Sequence, residues 1–281
     1  MTRHRVDGAE YEVTIRGDGP PLLLIHGFTG SSTDWGPLLP ELGRVAMAVS
    51  VDLLGHGGSE SPPEPARHAV ERQATDLAEL LETLGAIPAT VMGYSMGARV
   101  ALRMAVAAPG AVERLILESP SPGIADGEAR ATRRAADEQL AKLLELQGIE
   151  AFVDRWESLP LFASERAMPA EWRTRLHGER LSCRPEGLAA SLRGAGQGSM
   201  EPLHAFLATV GVPTLVIAGE LDATGAARAR DVATRVPGAT LRVVRGAGHA
   251  PHREAPDAVT GLILEFLAVP RPLHAFERNQ P

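Results

Sequence analysis

Gly93-Tyr94-Ser95-Met96-Gly97 sets a serine hydroxyl between two glycines. That G-x-S-x-G spacing suits a strand-to-helix turn too tight for side chains at its flanks. A serine becomes reactive when an imidazole can take its proton and a carboxylate orients the imidazole. His249 closes Gly246-Ala247-Gly248-His249, and Asp222 closes Gly219-Glu220-Leu221-Asp222. Serine, acid and histidine thus follow one another in one of the known chain orders of a triad. Glu220 competes for the acid role, but Asp222 has the usual distance from the apolar run before it. His252 reads as a structural neighbour. His26-Gly27-Phe28 follows an early apolar run and offers the Phe28 amide. The Met96 amide, next to the serine, is a second donor, and two such N–H groups can hold a developing oxyanion. The turn Asp52-Leu53-Leu54-Gly55-His56-Gly57-Gly58-Ser59 reads as structural.

These residues need a frame. Short apolar runs at 22–25, 45–51, 89–92, 115–117, 214–218 and 241–244 are each followed within two residues by Gly, Asp or Ser. Continuous runs of this length suit strands buried on both faces, as in a parallel sheet. Helical patterns lie between them at 70–84, 97–108, 226–235 and 256–267, and residues 6–15 predict an antiparallel edge strand. Alternation of this kind predicts a doubly wound α/β fold. From 119 to about 198 no buried strand is expected. Amphipathic patterns at 130–146, 150–157, 169–181 and 186–192 predict a helical cap over the carboxyl edge of the sheet, where open α/β sheets bind ligands. The expected division is a core of 1–118 and 201–270, a cap of 119–200, and a frayed tail of 271–281.

The 281 residues are 44% hydrophobic and carry a net charge of −7, which speaks against nucleic acid or an anionic membrane as partner. Only Lys142 among the 28 basic residues is a lysine; the rest are planar arginine forks suited to carboxylates. Cys183 is the single cysteine, so no internal disulfide forms. Residues 1–18 are polar, no run reaches the ~20 apolar residues of a membrane span, and the cytoplasm is the expected location. No metal-ligand cluster, phosphate loop or dinucleotide fingerprint is apparent, so no cofactor is expected.

The elbow, its strand-and-helix context and the partner order resemble the α/β-hydrolase fold. Serine at 95 excludes haloalkane dehalogenases and epoxide hydrolases, which need aspartate there. Several further stretches are more specific. They include Gly93-Tyr94-Ser95-Met96-Gly97-Ala98-Arg99, Glu118-Ser119-Pro120-Ser121-Pro122-Gly123, Arg130-Ala131-Thr132-Arg133-Arg134-Ala135-Ala136-Asp137, Phe152-Val153-Asp154-Arg155-Trp156 and Gly246-Ala247-Gly248-His249-Ala250-Pro251-His252. Together, from about Leu22 to Leu267, they resemble the 2-succinyl-6-hydroxy-2,4-cyclohexadiene-1-carboxylate synthases of menaquinone biosynthesis. The resemblance implies a lyase that eliminates pyruvate from 2-succinyl-5-enolpyruvyl-6-hydroxy-3-cyclohexene-1-carboxylate, a small tricarboxylate. By motif it carries substrate carboxylates to Arg99, Arg133 and Arg180, with Arg193 a further candidate, and adds Trp156 and Tyr94 as substrate contacts. It also implies that Ser95 acts as base with His249 and Asp222. Relatives often have a Lys-Phe pair after the acid, where this chain has Ala223-Thr224, and some a glutamine near Ala125-Asp126.

Two other readings stay open from the residues. A carboxylesterase or C–C-bond hydrolase with the same triad would pass through an acyl-serine. A non-catalytic receptor on this fold would bind without turnover. Monomer and small homo-oligomer are both compatible with the chain.

Overall fold

The structure is a computed structural model and describes residues 1–269. The tail expected to fray, 271–281, lies outside them. Among the described residues eight strands form one sheet: β1 (Thr2–Val6), β2 (Ala9–Arg16), β3 (Pro21–Ile25), β4 (Met47–Val51), β5 (Ala89–Tyr94), β6 (Val112–Glu118), β7 (Thr214–Gly219) and β8 (Thr240–Val244). Their order is β1-β2-β4-β3-β5-β6-β7-β8. β4, β3, β5, β6, β7 and β8 run parallel, while β2 pairs antiparallel with β1 and β4. The edge element expected over 6–15 is therefore a hairpin. Asp7 (φ 43°) and Gly8 (φ 80°) both adopt positive φ between its strands, as a two-residue Asp-Gly turn requires.

Among the described residues nine α-helices accompany the sheet: α1 (Leu39–Leu42), α2 (Val70–Thr83), α3 (Met96–Ala107), α4 (Gly127–Glu157), α5 (Ala170–Leu181), α6 (Pro185–Ala195), α7 (Ala223–Arg235), α8 (Pro251–Glu254) and α9 (Pro256–Ala268). Leu22 to Ile25 of β3 are wholly buried, because helices cover both faces of the sheet. α2, α3 and α7 contribute to one apolar core, and α1 and α9 to the other. In α2 the buried Val70, Ala74, Leu77 and Leu81 recur at helical spacing and form its inward stripe.

Between β6 and β7 the described chain is helical or irregular, with no strand. Asp126 caps α4, its carboxylate accepting from the Ala129 amide at 2.8 Å. Gly148 (φ 83°) breaks α4 into two arms, which explains why the sequence pattern stops at 146 and resumes at 150. This stretch between β6 and β7 has its own apolar cluster, including Phe152, Trp156, Phe162, Leu188 and Leu192. Phe28, past the end of β3, meets Phe152 and Trp156 edge-on at 6.2 and 5.2 Å. The stretch thus lies over the carboxyl ends of the central strands. Among the described residues no helix is long and apolar enough to cross a membrane.

Candidate active site

The turn from β5 to α3 holds Ser95 at φ 50°, ψ −102°, a region that L-residues avoid unless the surroundings impose it. A Cβ at Gly93 would lie 2.2 Å from the Gly97 carbonyl oxygen, and one at Gly97 would lie 2.1 Å from that of Ile25. The flanking glycines are therefore sterically required. The Ser95 amide donates to the Glu118 carbonyl at 2.9 Å and fixes the turn to β6.

Three loops converge on this hydroxyl. His249 Nε2 lies 3.1 Å from Ser95 Oγ, and His249 Nδ1 lies 2.7 Å from Asp222 Oδ2. A carboxylate only accepts, so Nδ1 carries the proton and Nε2 is left to accept from the serine. The other Asp222 oxygen accepts the Gly225 amide at 2.8 Å, so the residue also caps α7. Burial alone would raise the Asp222 carboxyl, but the bonds from His249 and Gly225, with the charges of His249 and Arg228, hold it below the usual aspartate range. Glu220 accepts the Gly246 amide at 2.9 Å, so Asp222 is the carboxylate on the imidazole. The Ser119 hydroxyl donates to the His249 carbonyl at 2.7 Å. His252, fully buried, is held by Glu118 through its amide and ring at 2.9 and 2.8 Å.

His26 Nε2 accepts the Leu53 amide at 2.9 Å, so its Nδ1 carries a proton toward the Gly27 carbonyl at 2.7 Å. This neutral tautomer pins the loop carrying Phe28. Met96 opens α3, where an N–H has no carbonyl one turn back in the helix. Phe28 and Met96 both line the cavity above Ser95, which has about 870 Å³ of atom-free space, its mouth included.

Arg99, Arg133 and Arg180 all reach this cavity, as do Tyr94 and Trp156. Arg99 is 6% exposed. It donates to the Ala195 carbonyl and approaches Met200 Sδ at 3.6 Å, with no carboxylate bonded to it among the described residues. Burial, then the charge of Arg133, pushes it down to about 10. Arg133 donates to Asp137 at 2.8 Å. Arg180 is tied to Glu157 and Glu165 at 2.9 and 2.8 Å and lies over the Phe162 ring. Tyr94 packs under Gly27, where a Cβ would meet its ring at 2.6 Å. Trp156 packs flat on Phe152.

Arg193 is not brought into the cavity. Its guanidinium is clamped by Glu138 and Glu145 across the insertion, so its charge is already matched. Sequence reasoning also passed over three residues. Arg253, four positions after His249, lines the cavity, pairs with Asp34 at 2.7 Å and approaches Glu165 at 3.8 Å. Arg228 lines the cavity from α7. Gly225 lies against Asp222, where a Cβ would be 2.1 Å from Oδ2. Their only sequence signal was position, one turn beyond a triad residue or two turns along the helix that Asp222 caps.

Comparison with known proteins accords with this arrangement. Residues 22–262 match the alpha/beta hydrolase family. A Bacillus subtilis protein named as a 2-succinyl-6-hydroxy-2,4-cyclohexadiene-1-carboxylate synthase is 36% identical over 93% of this chain and 96% of its own. A synthase of the same name from Salmonella paratyphi C is 32% identical over 88% of this chain and 94% of its own. The solved structure of MenH from S. aureus superposes with a TM-score of 0.87 at 34% identity, covering 92% of this chain and 97% of that one. The chain belongs to the α/β-hydrolase family and, within it, to the 2-succinyl-6-hydroxy-2,4-cyclohexadiene-1-carboxylate synthases.

Proposed function

We propose that Ser95, with His249 and Asp222 behind it, works as the general base of a lyase rather than as a nucleophile. The reaction is the pyruvate elimination of menaquinone biosynthesis, from 2-succinyl-5-enolpyruvyl-6-hydroxy-3-cyclohexene-1-carboxylate to 2-succinyl-6-hydroxy-2,4-cyclohexadiene-1-carboxylate. In this reading 119–200 is a cap on a core of 1–118 and 201–270. The observation that carries the proposal is that two arginines, Arg99 and Arg133, line the same cavity as the serine hydroxyl. A neutral ester needs no such pair, whereas a tricarboxylate approaching a chain of net charge −7 does.

Ser95 Oγ takes the proton from the ring carbon bearing the succinyl group, as its own proton passes to His249 Nε2. The electron pair enters the succinyl carbonyl as a conjugated enolate, whose oxygen the Phe28 and Met96 amides receive. When the carbonyl re-forms, electrons move through the ring and the C–O bond to the enolpyruvyl group breaks. The leaving enolate takes up a proton and tautomerises to pyruvate. Holding the C–H against Ser95 is the work of the arginines, with Tyr94 and Trp156 as walls. No bond forms between enzyme and substrate.

The test is pyruvate release from freshly generated substrate. Wild-type protein should accelerate it well beyond spontaneous decay. Ser95→Ala and His249→Ala should each lose about 10³-fold or more, by analogy with other triads. An acyl-serine trapped from the true substrate would sink the base role and favour the esterase reading.

A further inference from the structure

Five arginines line the cavity: Arg99, Arg133, Arg180, Arg228 and Arg253. Their charges are not equally available. Arg180 is matched by Glu157 and Glu165, Arg253 by Asp34, and Arg133 by Asp137. Arg99 and Arg228 are the two with no carboxylate within ion-pair distance among the described residues. Arg99 is the buried cation of the site described above. Arg228 is different: it is exposed, it lies on a core helix, and no proposed step uses it.

Its place on α7 is specific. Arg228 sits three residues after Gly225, so both lie on one face of the helix, and both line the cavity. The nearest acid on the same helix, Asp231, is held by Arg235 at 2.8 Å. Among the described residues no carboxylate competes for the Arg228 guanidinium, yet its field reaches the site, where it helps lower the Asp222 carboxyl. An unmatched, exposed cation at the mouth of an anion-binding cavity is placed to meet an incoming carboxylate and to draw it in.

We propose that Arg228 is a substrate-binding residue. It meets one carboxylate of the tricarboxylate at the cavity mouth, in addition to the arginines deeper in the cavity. This rests on the lyase reading above. Losing one exposed charge-assisted contact should raise KM about tenfold. The test is steady-state pyruvate release by wild type, Arg228→Gln, Arg228→Glu and Arg228→Lys, with melting temperatures and the pH profile of kcat measured on each. For Arg228→Gln we expect KM up about tenfold, kcat within about twofold, an unmoved pH profile, and an unchanged melting temperature. Arg228→Lys should recover most of the loss and Arg228→Glu deepen it. Raising the salt concentration should narrow the gap between wild type and Arg228→Gln. A KM within twofold of wild type in Arg228→Gln would overturn the assignment while leaving the lyase reading standing. So would a fall in kcat with a shifted pH profile and unchanged KM, since Arg228 would then act through Asp222. A wild-type protein that releases no pyruvate overturns both readings together.

Discussion

Gly225→Ala is the substitution that separates positioning of the triad from its chemistry. The added methyl group would lie 2.1 Å from Asp222 Oδ2 and 2.6 Å from Cγ, so the carboxylate must shift by about 1 Å to reach an ordinary contact. That shift breaks the 2.7 Å contact to His249 Nδ1 and the 2.8 Å bond from the Gly225 amide. Displacements of about 1 Å in catalytic geometry cost on the order of 10²-fold, and outright loss of a triad acid's function about 10⁴-fold. We expect kcat to fall between these bounds with KM within threefold, because no arginine of the cavity is altered. Stability should hold, since alanine is favoured over glycine in a helix by roughly 0.5–1 kcal/mol, which offsets most of the lost capping bond. The assay is pyruvate release under saturating substrate, with thermal melting in parallel. A variant with wild-type kcat would mean that Asp222 does not orient His249 during turnover.

Arg133→Ala should raise KM about tenfold or more with a smaller effect on kcat; Asp137→Asn should do the same more weakly, because Asp137 holds Arg133 at 2.8 Å. Steady-state kinetics that change neither value would refute the carboxylate role. The Asp222 carboxyl lies below its ordinary value when folded. Its stabilising contribution is complete above the unfolded value near 3.9 and is lost as pH falls through the lowered one. Asp222→Asn should therefore flatten the melting temperature below about pH 4, and an unchanged acid limb would contradict this. Burial pushes the Cys183 thiol up to about 12, so iodoacetamide at pH 8 should label the folded protein at least about a hundredfold more slowly than a free cysteine. Rapid labelling of the native protein would show that the Cys183 region opens.

The parallel strands were legible because burial on both faces leaves unbroken apolar runs, and Leu22-Leu23-Leu24-Ile25 is the clearest. β1 was not, since Thr2-Arg3-His4-Arg5 is polar and only Val6 is buried; its one signal was Asp7-Gly8. The triad was legible because the fold ties Ser95, Asp222 and His249 to the ends of particular strands in a fixed order. The arginines were legible as a type but not in orientation. Arg99 and Arg193 both sit on helices beside the site. Yet one turns to the cavity, and the other meets Glu138 and Glu145, about fifty residues earlier in the chain. Only the packing of α6 on α4 brings those charges together, and no local pattern encodes it.

The chain of ion pairs from half-buried Glu157 through Arg180, Glu165 and Arg253 to Asp34 also bears on modularity. Consider an exchange of the helical stretch between β6 and β7 as a cassette, keeping the sheet and its loops. Here the cassette would take Glu157, Glu165 and Arg180 with it and leave Arg253 and Asp34 behind. A donor insertion lacking a carboxylate at the place of Glu165 would leave Arg253 short of one of its counter-charges, and stranding a buried charge costs several kcal/mol. Grafts should succeed when these residues travel as a set, so the seam for recombination follows the ion pairs more closely than it follows the ends of β6 and β7.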